Sequence, residues 1–118
     1  DAGAVTFAAH GVPEMQGVEY YRGAPLFHGL GSFVFQSEKP EGAYGAEAWQ
    51  SIIASLEIRA GKVAAVKLTP VQLDAAGVVV GGSRVRGTPR IAKGANARVI
   101  LDRVDALSRS FGNTALPA

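Results

Sequence analysis

Cysteine is absent from this chain. That excludes a disulfide framework, a thiolate metal site and a cysteine nucleophile, and it is compatible with either redox compartment. No apolar run approaches the roughly 20 residues of a membrane-spanning helix, and no stretch reads as a targeting segment. Charge is scarce as well. Charged residues make up 19% of the chain and the net charge is +2, too small a balance to argue for nucleic acid as a partner. There are 2 histidines, His10 and His28, so any imidazole chemistry rests on them. What is plentiful is apolar surface: 47% of residues are hydrophobic, the composition of a globular chain rather than a disordered one. At 118 residues the length suits one small domain burying roughly two-thirds of its unfolded surface. The chain opens on Asp1 without a methionine, and we expect a fragment or processed piece of a longer protein.

The hydrophobic pattern divides the chain into a strand-rich part and a helical end. Val5 to Ala8 is a short apolar run with the character of a buried strand, broken by Gly11 and Pro13. Val18 to Arg22 reads as a second strand, and Arg22-Gly23-Ala24-Pro25 as a turn. Leu26-Phe27 and Phe33-Val34-Phe35 flank a Gly29-Leu-Gly31 bend, where a backbone approaches either a ligand or another backbone closely. Ser37 to Ala46 is polar and holds Pro40, Gly42 and Gly45, a surface loop. Ile52, Ala54, Leu56 and Ile58 then alternate with Ser51, Ser55, Glu57 and Arg59, the period of a half-buried strand. Ala60-Gly61 is a hairpin turn, and Lys62 to Leu73 returns as a strand. Pro70 cannot donate to a ladder, which predicts an edge position or an exit from the sheet there. Val78-Val79-Val80 is a short strand in a glycine-rich stretch. From Ala97 the period changes: Ala97, Ile100, Leu101, Val104, Leu107 and Phe111 share one helical face. Asn96 or Gly94 is the expected N-cap, Gly112 the stop, and Arg98 with Asp102 and Asp105 with Arg109 the expected surface pairs. The pattern predicts an α+β fold of mostly antiparallel strands with a C-terminal helix.

His10 stands out among the polar residues. An imidazole in a glycine-bounded turn after a strand is well placed to meet a metal; from the residues alone, a hydrogen-bonded structural histidine is the commoner outcome. His28 reads as a partly exposed strand residue. Arg84, Arg86, Arg90 and Lys93 form a basic cluster suited to an anionic polymer or a phosphate, or to a solvated face, the commoner case. Gly29-x-Gly31 lacks the rest of a dinucleotide fingerprint, and Ser32 has no nucleophile elbow around it.

Six stretches carry a resemblance: Ala9-His10-Gly11-Val12-Pro13 followed by Gln16-Gly17; Gly23-Ala-Pro-Leu-Phe-His-Gly-Leu-Gly-Ser-Phe-Val-Phe35; and, further on, Arg59-Ala-Gly-Lys-Val, Val66-Lys-Leu-Thr-Pro-Val, Gly87-Thr-Pro-Arg-Ile-Ala-Lys-Gly and Leu107-Ser-Arg-Ser-Phe-Gly. In order and spacing they resemble the C-terminal part of bacterial CapA-type capsule and poly-γ-glutamate biosynthesis proteins, of the calcineurin-like metallophosphatase superfamily. The resemblance covers nearly the whole chain. It implies that residues 1–118 are the C-terminal portion of a metallophosphatase-like β-sandwich with flanking helices. Its upstream half would come from the same precursor or a second chain. It implies a divalent metal ion with His10 as a ligand, a phosphate-containing substrate or anionic polymer, and an extracytoplasmic or membrane-associated setting. The family's Asp-x-His, Gly-Asp and Gly-Asn-His motifs are absent here, so metal-dependent hydrolysis is expected only of the complete protein and this chain alone is expected to be inactive. Two positions depart from the pattern. Pro13 stands where the family has a second histidine, and Ser32 where it has asparagine. Glu14, next to Pro13, is the candidate substitute ligand. The alternative expectation is a degenerate, non-catalytic member that binds an anionic polymer or a partner protein.

Overall fold

Alternation and turn chemistry build the longest elements. In the computed structural model, which describes residues 2–40 and 42–116, β4 (Gln50–Arg59) and β5 (Lys62–Leu73) form an antiparallel hairpin in register from Gln50↔Gln72 to Arg59↔Lys62. The two-residue turn Ala60-Gly61 has positive φ at both positions (52° and 74°), the backbone twist that matches a right-handed hairpin. A bulge near Glu57 and Ile58 shifts the register. Fully extended, a strand of β5's length spans about 40 Å, which accounts for most of the molecule's 51 Å long axis.

Pro70 lies in the interior of this sheet, not at an edge. The order is β4-β5-β8, with β8 at Pro89–Ile91. The Pro70 position tolerates proline because of where its missing N–H would point. Its partner Ile52 donates its own N–H away from β5, to the Leu30 carbonyl (3.0 Å), so Ile52↔Pro70 is a non-hydrogen-bonded pair. The ring nitrogen therefore faces the β8 side, where β8 pairing stops one residue earlier, at Val71↔Ile91. Only the Pro70 carbonyl is used there, accepting from Ala92 N–H (2.9 Å).

The second sheet has the order β1-β3-β2, with β1 at Phe7–Ala8, β2 at Val18–Tyr21 and β3 at Ala24–Phe27. The turn between β2 and β3 is shorter than expected: Arg22 (φ 50°) and Gly23 (φ 80°) make it alone, while Ala24 and Pro25 already belong to β3. Phe33–Phe35 forms no strand. The expected buried strand at Val5–Ala8 is also corrected. Only Phe7 and Ala8 pair, parallel to Leu26 and Phe27, and both are exposed, because β1 pairs on one side only. A separate two-stranded ladder, β6 (Val78–Val80) with β7 (Ser83–Val85), confirms the short valine strand.

The helix α1 runs Gly94–Ser108, with Lys93 as N-cap and no side-chain cap, so neither Asn96 nor Gly94 caps it. Its packed face is Ile100, Val104 and Ser108, each 0% exposed, flanked by the half-buried Ala97 and Leu101. Burying the two aliphatic side chains contributes about 1.5–3 kcal/mol each. The expected face is wrong at its C-terminal end, where Leu107 and Phe111 are exposed and a serine is buried instead. Ser108 is tolerated because its hydroxyl is fully used: Oγ donates to the Val104 carbonyl (2.7 Å) and accepts from Val18 N–H (2.9 Å). Of the two surface pairs, Arg109–Asp105 forms (2.9 Å), and Arg98 makes no ion pair with Asp102 among the described residues. Gly112 ends the helical segment as expected, in the left-handed conformation after a 3-10 turn at Arg109–Phe111.

These contacts close one edge of the β1-β3-β2 sheet. Besides the Ser108 bond, Asn113 acts as a side-chain strand: Nδ2 donates to the Val18 carbonyl (2.8 Å) and Oδ1 accepts from Tyr20 N–H (3.3 Å). The Tyr20 hydroxyl donates to the Ala115 carbonyl (2.8 Å). The β2 edge is thus capped by the end of the chain, and β1 is the edge left without a strand neighbour among the described residues.

Burial pushes the Tyr20 phenol up from its ordinary value of 10.0. A group whose proton is held more tightly when folded stabilises the fold below its unfolded pKa, and that contribution is lost as pH rises through the folded one. Stability should therefore fall as pH rises above about 10. Tyr20→Phe should be about 1 kcal/mol less stable at neutral pH, having lost the Ala115 bond, but with a flatter alkaline limb. Urea denaturation between neutral and alkaline pH checks both, and a Phe variant with an unchanged alkaline limb would contradict the assignment.

Candidate functional site

The His10 loop is held at both ends. On its entry side Thr6 Oγ1 donates to the Pro25 carbonyl (2.8 Å) and Ala9 N–H to the Phe27 carbonyl (2.8 Å), which extends the parallel pairing with β3. Gly11, at φ 109°, then turns the chain through a conformation costly for any side-chain-bearing residue. On its exit side Gln16 N–H donates to the Gly29 carbonyl (2.9 Å), and Met15, 3% exposed, bridges Leu30.

The Gly-Leu-Gly bend anchors this loop on the second sheet. A Cβ at Gly31 would lie 2.7 Å from Ser51 Cβ and 2.8 Å from the Gln50 carbonyl oxygen. The glycine is there so that the bend can lie directly on β4, and the Leu30 carbonyl accepts Ile52 N–H at the same place. Of the two expectations for this bend, backbone-to-backbone packing is the one realised.

His10 is exposed, two residues beyond β1 rather than at the end of a buried strand. It lines an open cleft of about 560 Å³ between the His10 loop and β4, whose other walls include Val12, Leu30, Phe33 and Ile53. Its ring has no hydrogen-bond partner among the described residues, so the alternative of a hydrogen-bonded structural histidine is not realised. The walls are mostly apolar, and Val12, Phe33 and Ile53 are themselves exposed. Glu14 is exposed and is not part of the cleft lining. Pro13 and Ser32 meet each other: Ser32 Oγ donates to the Pro13 carbonyl (3.3 Å).

His28 has partners that the sequence did not reveal. Its Nε2 lies 2.9 Å from Glu19 Oε1, and its ring stacks on Phe111 with centroids 4.9 Å apart. It ties the end of β3 to β2 and to the C-terminal 3-10 turn, away from the His10 cleft lining. A Glu at position 19 with a His diagonally across from it, one residue past the end of β3, is the signal that a cross-strand search would have found.

The basic cluster splits in two: Arg84 and Arg86 line one cleft, Arg90 and Lys93 another. Arg84 Nη1 donates to the Ala76 carbonyl (2.9 Å), and Arg90 pairs loosely with Asp74 (3.8 Å). Arg86 is buried, with its guanidinium 4.9 Å over the Trp49 ring.

A protein-bound divalent ion needs about four or more donors. No group of three or more His, Asp or Glu able to hold one occurs among the described residues. His10 supplies a single nitrogen, so these residues do not by themselves fit a metal centre.

No family model matches the chain. Two curated relatives, the uncharacterized proteins y4sH and y4uA of Sinorhizobium fredii, are each 25% identical over 150 residues, covering 95% of this chain and 32% of each relative. The chain spans about a third of the length of the curated relatives it matches. No helix among the described residues is long and apolar enough to cross a membrane.

Proposed function

We propose that this chain is the C-terminal portion of a CapA-type protein of capsule or poly-γ-glutamate biosynthesis, with a metallophosphatase-type fold completed by a segment outside residues 1–118. The observation that carries this reading is the presentation of His10. Its loop is pinned to β3 and to the Gly29–Gly31 bend, yet its ring is left exposed at a cleft with mostly apolar walls. Two further features support it. One sheet edge is sealed by Ser108 and Asn113 while β1 carries no second strand neighbour among the described residues, and an unpaired edge invites another strand. The chain also aligns along nearly its whole length to a third of longer relatives. In this reading the added segment pairs at β1, covers the cleft and brings the remaining ligands of a divalent ion to His10. The substrate would be a phosphate-containing molecule or an anionic polymer.

The Ser32–Pro13 bond favours a second reading, in which the complete protein has kept the fold and lost the chemistry. Those two positions serve as a loop tie here rather than as ligands, and Pro13 has no side-chain donor atom. The complete protein should then hold at most one tightly bound divalent ion and hydrolyse generic phosphodiesters slowly or not at all, since a missing ligand weakens the ion that polarises substrate and activates water. Metal stoichiometry and phosphodiester turnover of the complete protein, with and without Pro13→His, test this. Two ions per protein with brisk hydrolysis that the histidine does not improve would overturn it.

A further inference from the structure

A second cleft, of about 740 Å³, lies between the loop at residues 36–40 and the β7 side of the β6–β7 ladder. Such a volume falls within the range of small-molecule sites. Arg86 is part of its lining and is 5% exposed. Its guanidinium is held by neutral groups only. Nε donates to the Ala75 carbonyl (2.7 Å), Nη1 to the Ser37 carbonyl (2.9 Å) and to the Lys39 carbonyl, and the plane lies over Trp49. Nη2 is buried and has no acceptor. Among the described residues no carboxylate pairs with Arg86; the nearby Asp74 is engaged by Arg90 and by Gly77 N–H.

A cation this deeply buried without a counter-charge is costly, because the desolvation of the guanidinium is repaid only in part by carbonyls and a ring face. Two more cationic residues line the same cleft. Lys39 sits on one wall with its Nζ 5.3 Å from the Tyr44 ring centroid, and Arg84 on the other, with one Nη engaged by the Ala76 carbonyl. Glu38 is the one acid among the described lining residues, and it makes no ion pair. Gln36 fixes the geometry of the two walls: Nε2 donates to the Arg84 carbonyl (3.0 Å) and Oε1 accepts from Arg86 N–H (2.8 Å).

We infer that the cleft between residues 36–40 and β7 is an oxyanion site, in which Arg86, Arg84 and Lys39 bind the phosphate or carboxylate group of a small ligand. Arginine's planar fork favours either group. The inference is independent of His10 and of any metal.

The test is a titration of this chain with inorganic phosphate and, separately, with glutarate, at ionic strength held constant with chloride, followed by backbone amide shifts. The expected result is a saturable change at residues 36–39 and 83–87 for at least one anion, and the tighter of the two names the class. Arg86 also ties the loop to the body, so Arg86→Gln risks unfolding. Arg84→Gln and Lys39→Gln spare that tie, and each should weaken binding roughly tenfold. Shifts that never saturate with either anion, or an affinity that neither variant changes, would overturn the site. So would binding seen only after Glu38→Gln, which would make the chain's own carboxylate the occupant.

Discussion

Gly87→Ala should be the most damaging single-methyl change in this chain, costing more than about 4 kcal/mol, the range reserved for severe overpacking and backbone strain. A Cβ at Gly87 would lie 1.6 Å from the Phe35 carbonyl oxygen and 2.3 Å from its carbon, and Gly87 has φ 71°. The clash is with backbone, which cannot swing aside. Both hydrogen-bonding groups of Gly87 are also committed: its N–H donates to the Asp74 carbonyl (2.7 Å) and its carbonyl accepts from Phe35 N–H (3.2 Å). This crossing holds Phe35 against Trp49 and Tyr44, with ring centroids 4.9 and 5.2 Å away, and so supports the smaller of the two cores. Gly82→Ala is the control. Gly82 has φ 82° in the turn between β6 and β7 with nothing within 4 Å of its would-be Cβ, so only the left-handed conformation is penalised, at about 1–2 kcal/mol. Unfolding free energies of the two variants, from denaturant titration, should differ by more than about 2 kcal/mol. Equal effects would show that conformation alone, not close approach, requires glycine at position 87.

The second large effect is expected at Phe27. It is 2% exposed, belongs to the main core with Val18, Ile52, Ile100 and Val104, and sits in the central strand of its sheet. Phe27→Ala should cost about 3–5 kcal/mol through lost burial and an uncollapsed cavity. Its carbonyl also receives the Ala9 N–H, so loosening β3 loosens the entry to the His10 loop. Hydrogen exchange should show the Ala9 amide losing protection together with β3. A Phe27→Ala variant in which Ala9 keeps its protection would separate the loop from the strand and contradict the account of how His10 is held.

The parts of this fold that were legible in the sequence carry their information locally. The β4–β5 hairpin announces itself because each strand has one buried and one solvated face, and Ala60-Gly61 supplies the turn. The helix shows through the spacing of Ala97, Ile100, Leu101 and Val104. What was misread depends on partners far along the chain. Pro70 reads as an edge residue unless one knows that β8 stops one residue short of it. Ser108 reads as surface because a hydroxyl is buried only when both its bonds are met, here by residues 4 and 90 positions away. Arg86 reads as a solvated cation because its partners are the carbonyls of Ser37, Lys39 and Ala75, and backbone acceptors leave no trace in side-chain pattern. At the candidate site, Gly11 and the Gly29–Gly31 bend pointed to the loop and its anchor. The exposure of β1 did not show, since an apolar run looks the same whether its second neighbour is in the chain or outside it.

The proposal on which the rest turns is that His10 is a metal ligand completed by a segment outside residues 1–118. The most direct measurement is the divalent metal content of the complete protein, purified without chelator, for wild type and His10→Ala. The account predicts bound metal in the wild type and a clear loss in the variant, with an unchanged melting temperature once both are stripped of metal, because the exposed His10 ring has no hydrogen-bond partner among the described residues. Equal metal content in the two proteins, or none in the wild type under metal-replete conditions, would contradict it.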